Sequence, residues 1–479
     1  MNNPIVVLLA LFFCLSSAIP ATGWPLKPPK QPDRIWQDPE WARERSGDDP
    51  VWNSMKQLPE GLAGTLSLVR LIDIALQNNP ETRQAWRDSK AAFARERQAQ
   101  SAWFPSVTFS AGSSHRRTYT NNDYNSANTR TDALAADIKF MVLDFGGRAA
   151  SVKEANEMLL ASNYDFNQTF QDLMLNVEKA YYNLYASVSQ IKAAEANLED
   201  SAKALETANQ KFDSGLVTKL DVLQAESEYT KAQYDLEGAR RDGMDAQAQL
   251  ANVIGVPAGA EIEISPPPFE KPRDVMTRDV RELIEEAMSR RPDIAAARAA
   301  LESKKAALQS ANSDLWPTLN VGGSVTGNRY YQYGSEKDGL FNVKDDYGYV
   351  AYVSVDWNVF DGFYLYSVRN EAREQMKAEM EKLRKAELDA SSDVWSKYYS
   401  YLTALRQYDF SVNFLRSSEA SYELALLSYE NGLKDILDLL RSSSDLFEGR
   451  SNMVSAQESL FVAFAELVHA MGMLYVTEE

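Results

Sequence analysis

Phe212-Asp213-Ser214-Gly215-Leu216-Val217-Thr218-Lys219-Leu220-Asp221-Val222-Leu223 returns later in the chain as Tyr429-Glu430-Asn431-Gly432-Leu433-Lys434-Asp435-Ile436-Leu437-Asp438-Leu439-Leu440. Each copy sets an aromatic residue, a glycine and an aspartate at the same spacing. Glycine adopts the left-handed backbone of a helix C-cap without steric cost, so Gly215 and Gly432 mark points where one helix stops and another starts. Both quoted stretches therefore read as the tight tips of helical hairpins.

Working outward from the tips, the flanking runs carry a heptad pattern. Before the first tip, Met174, Val177, Tyr181, Leu184, Val188, Ile191, Glu195, Leu198, Ala202, Leu205, Asn209 and Phe212 step by three and four. After it come Val222, Ala225, Tyr229, Ala232, Leu236, Ala239, Gly243, Ala246 and Leu250, and the second copy repeats this from Leu439 through Leu446, Gly449, Leu460 and Leu467. A sustained period of 3.5 specifies left-handed coiled-coil packing, and the many Ala and Gly knobs bring backbones close together. No proline interrupts Arg148 to Phe212. At 1.5 Å per residue that helix extends roughly 100 Å, longer than any single globular core needs.

Further out, other landmarks recur in order. Leu71-Ile72-Asp73-Ile74-Ala75 aligns with Leu283-Ile284-Glu285-Glu286-Ala287, Pro80 with Pro292, Phe104-Pro105 with Trp316-Pro317, Tyr181-Tyr182 with Tyr398-Tyr399, and Gly255 with Gly472. The chain is a tandem duplication. Each copy opens with one helix, about 66–102 and about 280–315, that ends at its aromatic-Pro pair. Two alternating runs follow. Val107, Phe109 and Ala111, then Leu134, Ala136, Ile138, Phe140 and Val142, face away from polar neighbours. In copy two the apolar sets are Leu319, Val321, Gly323 and Val325, then Tyr349, Ala351, Val353, Val355, Trp357 and Val359. Alternation predicts strands with one apolar face, joined by polar loops at 113–130 and 330–346. The pattern fits lipid-facing barrel strands and equally a half-buried soluble sheet; two hairpins are too few for a barrel made by one chain.

Bulk properties narrow the options. Net charge is −18, which argues against nucleic acid as a main partner. An apolar run from Ile5 to Cys14, followed by small residues, reads as a signal peptide over 1–23. Cys14 is the only cysteine, and Phe12-Phe13 before it do not suit a lipoprotein signal. Residues 24–64, rich in Pro and Trp, read as a periplasmic arm; 65–255 form the first repeat, 256–277 a linker and 278–479 the second repeat. No nucleophile–base pair, phosphate loop or metal spacing occurs, so neither an enzyme nor a cofactor is expected, and His115, read as lying in a loop, and His469 are too isolated from each other to form a metal site.

The duplication, the Leu-x-x-x-Ala-x-x-x-x-Pro openings at Leu71 and Leu283, the aromatic-Pro pairs and the two tips together resemble the outer-membrane efflux protein family of TolC-like factors. The resemblance runs from about residue 60 to the C-terminus and rests on the ordered set rather than on one motif. It implies a mainly α fold with a β-barrel portion: a homotrimer closing a twelve-stranded barrel in outer-membrane lipid above a periplasmic helical tunnel. It implies a duct for a tripartite efflux pump or a type I secretion system. Tips around Gly215, Leu216, Thr218, Gly432 and Leu433 would meet a periplasmic adaptor, itself linked to an inner-membrane pump or ABC transporter. By position, Asp221, Tyr429 and Lys434 are carried over as a gate latch and Asp438 as an acidic ring. Arg441 departs from the family pattern, standing where a second acid is expected, and would offset that ring. A plain reading of Asp221 and Asp438 as acids at helix starts competes with this. A cytosolic coiled-coil rod explains the heptads but neither the signal peptide nor the strands; the rival for the whole chain is a secreted coiled-coil structural or adhesive protein with a small sheet.

Overall fold

The computed structural model describes residues 64–119, 126–267, 278–333 and 340–473. The signal segment, nearly all of the arm and part of the linker lie outside the described residues. The two copies have matching elements. The first comprises β1 (Thr65–Leu66), α1 (Leu68–Asn78), α2 (Pro80–Gln100), a 3-10 turn (Ser101–Trp103), β2 (Ser106–Tyr119), β3 (Ser126–Leu143), α3 (Gly147–Asp213) and α4 (Lys219–Val253). After β4 (Glu263–Ile264), the second comprises α5 (Val280–Arg290), α6 (Pro292–Ser313), β5 (Thr318–Tyr333), β6 (Leu340–Asp356), α7 (Tyr364–Glu430) and α8 (Ile436–Ala470). Helices α3 and α7 are each 67 residues and α4 and α8 each 35, so the hairpins are built to one pattern.

The opening helix of each copy, read as continuous, is two helices. Proline lacks the amide that would continue the hydrogen-bond ladder, and the chain breaks just before it. Asn79 closes α1 and starts α2, its side chain accepting from Glu81 N at 2.7 Å; Arg291 occupies the same joint between α5 and α6. The joints explain two distant glycines. Gly255 has φ +76°, and a Cβ on it would come within 2.9 Å of the Asn78 backbone; Gly472, φ +69°, abuts the Arg290–Arg291 backbone at the same distance. The end of each hairpin thus packs onto a proline joint at a point where only glycine fits.

The short β1 and β4 pair in parallel, and apart from them the four long strands form one antiparallel sheet in the order β2-β3-β5-β6. They run further than the sequence reading placed them. Residues 113–119 and 126–130 are paired strand, with His115 opposite Arg130, so the supposed loops are mostly sheet. The reason is that backbone pairing needs no apolar side chains: Ser113, Asp132, Arg329 and Asp345 align across the sheet and bond to one another, Ser113 to Asp132 at 2.6 Å and Arg329 to Asp345 at 2.7 Å.

The cores lie in the helices. One gathers α1, the middle of α3 and the end of α4 around Leu71, Val177, Tyr181 and Leu250; a second repeats it in copy two around Leu283, Val394, Tyr401 and Leu467. The seam read along α4 is buried at Val222, Ala225, Ala232, Leu236, Gly243, Ala246 and Leu250. Along α3 it holds only from Met174 to Leu184. Beyond that, Ala193, Ala194, Ser201, Ala204 and Ala208 are buried, while Val188 and Phe212 are exposed. Helix α3 contacts α2, α4, α6 and α8, so its buried side is not a single narrow stripe, and the small residues take the closest approaches.

Candidate functional site: the open sheet and the paired tips

The sheet exposes what a soluble sheet would bury. Val107, Ile138, Gly323 and Ala351 lie in register, and the next row is Phe109, Ala136, Val325 and Tyr349. Phe109 is 81% exposed, Tyr349 85% and Val353 69%. Strands β2 and β6 each pair on one side only among the described residues, leaving unpaired edges 14 and 17 residues long. An apolar face bounded by two open edges cannot be satisfied by one chain in water or in lipid. Aromatic residues Trp103, Phe104, Trp316, Trp357 and Phe360 stand exposed where the strands meet the helices. There, two consecutive left-handed residues turn each copy from strand to helix: Phe145 and Gly146, then Gly362 and Phe363. Asp144 and Asp361 cap the new helices, Asp144 accepting from Arg148 N at 2.6 Å and Asp361 from Tyr364 N at 2.9 Å. In copy one the buried Arg148 side chain also donates to the carbonyls of Met141, at 2.6 Å, and Val142, at 3.1 Å.

At the opposite end of the hairpins, the tips have Schellman geometry. Leu216 N donates to Lys211 O at 2.9 Å and Leu433 N to Ser428 O at 2.8 Å, with Gly215 and Gly432 left-handed at φ +73° and +74°. The next helix is capped at once. Asp221 Oδ2 accepts from Thr218 N at 2.7 Å and Thr218 Oγ1 at 2.8 Å, a reciprocal capping box. Asp435 caps α8 by accepting from Asp438 N at 3.0 Å.

The residues carried over from the resemblance are only partly brought together within one chain. Tyr429 is 1% exposed, packed in a cluster with Ala204, Ala208, Val222, Ala225, Ile436 and Leu439. Its hydroxyl has no hydrogen-bond partner among the described residues. Burial, and then the nearby Asp221 carboxylate, push its pKa above the ordinary tyrosine value. Lys434 does not reach Asp221 or Tyr429 in the same chain; it pairs with Asp438 at 3.7 Å, both half-exposed, an interaction worth about 1 kcal/mol or less. Arg441 stands exposed on α8. The sequence reading missed Lys211, whose Nζ donates to the Tyr429 carbonyl and lies 4.4 Å from the centre of its ring. It also missed Leu220 and Leu437, which with Leu216 and Leu433 leave four large apolar side chains more than half exposed on the tips. Their four-residue spacing, off the buried seam, was the available signal.

The profile described as Outer membrane efflux protein matches residues 71–256 and 283–473, one stretch per copy. The chain belongs to that family. Protein CyaE of Bordetella pertussis is 27% identical over 463 residues, 95% of this chain and 88% of that protein. The pyoverdine export outer membrane protein OpmQ of Pseudomonas aeruginosa is 26% identical over 423 residues, 85% of each. The solved outer-membrane channel OprN shares the fold with a TM-score of 0.73 at 21% identity, covering 85% of this chain and 89% of that one. This outer membrane efflux protein is therefore a channel subunit of the outer membrane, serving efflux or secretion machinery, with its helical part in the periplasm. The exposed apolar face of the sheet belongs in lipid, and the reading as a secreted structural rod falls away.

Proposed function

We propose that three copies of the chain close a twelve-stranded barrel, each joining its β2 edge to the β6 edge of the next. The observation that carries this is the pair of long unpaired edges flanking an exposed apolar face; closure by identical neighbours removes both edges symmetrically. The helices then line a periplasmic tunnel that conducts substrate without bond chemistry. Its tips, with Leu216, Thr218, Leu220, Leu433 and Leu437 exposed, receive a periplasmic adaptor that links the duct to an inner-membrane pump or ABC transporter.

In this reading the tips are also the entrance. The closed latch comprises Tyr429, buried close to the Asp221 carboxylate without a hydrogen bond to it within one chain, and Lys434, which pairs with Asp438 in the single chain and turns to an acid of the neighbouring chain in the trimer; Asp438 forms a ring whose charge Arg441 offsets. Each polar contact contributes about 1 kcal/mol, so threefold repetition decides which state dominates. The test is single-channel recording in planar bilayers. Asp221→Ala combined with Lys434→Ala is expected to raise conductance, with trimers recovered from detergent-extracted outer membranes at parental yield. Unchanged conductance would reject the latch, and recovery of monomers alone from the parent protein would reject the barrel.

A further inference from the structure

We infer that Lys211 clamps the two hairpin tips of one chain together and is thereby a positioning residue of the periplasmic entrance, an inference that rests on the tips being that entrance. Lys211 lies in the last turn of α3, in copy one, and grips Tyr429, in the last turn of α7, in copy two. Its ammonium makes two contacts there: it donates to the Tyr429 carbonyl and sits over the ring. That carbonyl is at the negative end of the α7 dipole, where a cation is favoured. The ring is wedged into a pocket formed by both hairpins, so a hold on Tyr429 is a hold on the whole second tip.

The clamp runs one way. The position equivalent to Lys211 in copy two is Ser428, which has no ammonium to return. Other tip cations are engaged within their own hairpins, Lys219 over the Phe212 ring at 5.7 Å and Lys434 with Asp438. The Tyr429 hydroxyl, without a hydrogen-bond partner among the described residues, does not share the load. Hairpin two is thus held by hairpin one, and parting of the two tips requires release by Lys211.

The experiment places spin labels at Asp213→Cys and Glu430→Cys in a Cys14→Ser background, in the full-length protein diluted with unlabelled chains, so that only distances within one chain are read. In Lys211→Met, which keeps the stem but removes the donor, the tips-apart population is expected to rise roughly tenfold. Lys211→Arg, which restores a donor, is expected to return the parental distribution. An unchanged distribution in Lys211→Met, or failure of Lys211→Arg to restore it, overturns the clamp. Conductance of the same variants separates the two ideas. If the distances move and conductance does not, the clamp stands and the tips are not the entrance.

Discussion

Glu178 and Lys179 are neighbours in sequence with opposite fates. Glu178 is pushed by burial from an ordinary value near 4.5 up to about 7, and the adjacent Tyr182, stacked on Phe461 at 4.9 Å, is raised as well. Lys179 pairs with Glu466, which also accepts from Lys397 at 2.8 Å. Burial would raise Glu466, but these two lysines hold it below the usual carboxylate range. Between about pH 4.5 and 7 the folded chain therefore retains a proton on Glu178 that the unfolded chain releases. Stability from this group is fullest below about pH 4.5, falls as pH climbs towards 7, and carries a penalty of up to roughly 3 kcal/mol above that. Glu178→Gln is expected to melt higher than the parent at pH 8 and level with it at pH 4, and equal melting at pH 8 would show the carboxyl to be hydrated. At this scale Asp221 and Asp438 were legible as acids near helix starts, because capping is local. Lys211 was not, because its partner lies 218 positions away.

At the scale of elements, periodicity located the helices and strands, but not where they break or how far they extend. The two proline joints show why. A break costs hydrogen bonds, and it is tolerated because the hairpin end packs onto it through Gly255 or Gly472. Gly472→Ala forces a left-handed backbone on a residue with a Cβ and drives that Cβ into the Arg291 amide, at a cost of roughly 1–3 kcal/mol. Thermal melts of the solubilised protein should fall accordingly, whereas Gly259→Ala, where a Cβ meets nothing within 4 Å, should leave the midpoint in place. Strand length was under-read for the opposite reason. The outer ends of the strands lack the apolar alternation of lipid-facing residues, yet cross-strand pairs such as Arg329 with Asp345 continue the ladder.

At the scale of the molecule, one chain supplies a stable helical body and an incomplete sheet. Val325 lies in the middle of the apolar face, opposite Ala136 and Tyr349. Arginine there would face hydrocarbon at a cost of about 2–4 kcal/mol near the midplane. Val325→Arg is therefore expected to cut the yield of assembled protein in outer-membrane fractions severalfold, while Ser324→Asn, on the opposite face, leaves it unchanged. Equal yields from the two variants would place the apolar face away from lipid. In the proposed assembly function resides in this incompleteness: the edges would be met by sister chains, and the apolar tip residues by an adaptor.

The duplication, the heptad seam of α4 and of α3 from Met174 to Leu184, the alternating faces and the glycine tips follow from the sequence alone, because each is set by local backbone geometry or by periodic burial. Only the tertiary structure decided which side of α3 is buried, that Lys211 rather than Lys434 holds Tyr429 within a chain, and that distant glycines seat the proline joints. Those outcomes depend on helices meeting across hundreds of residues, and no local pattern encodes which side chains face each other there.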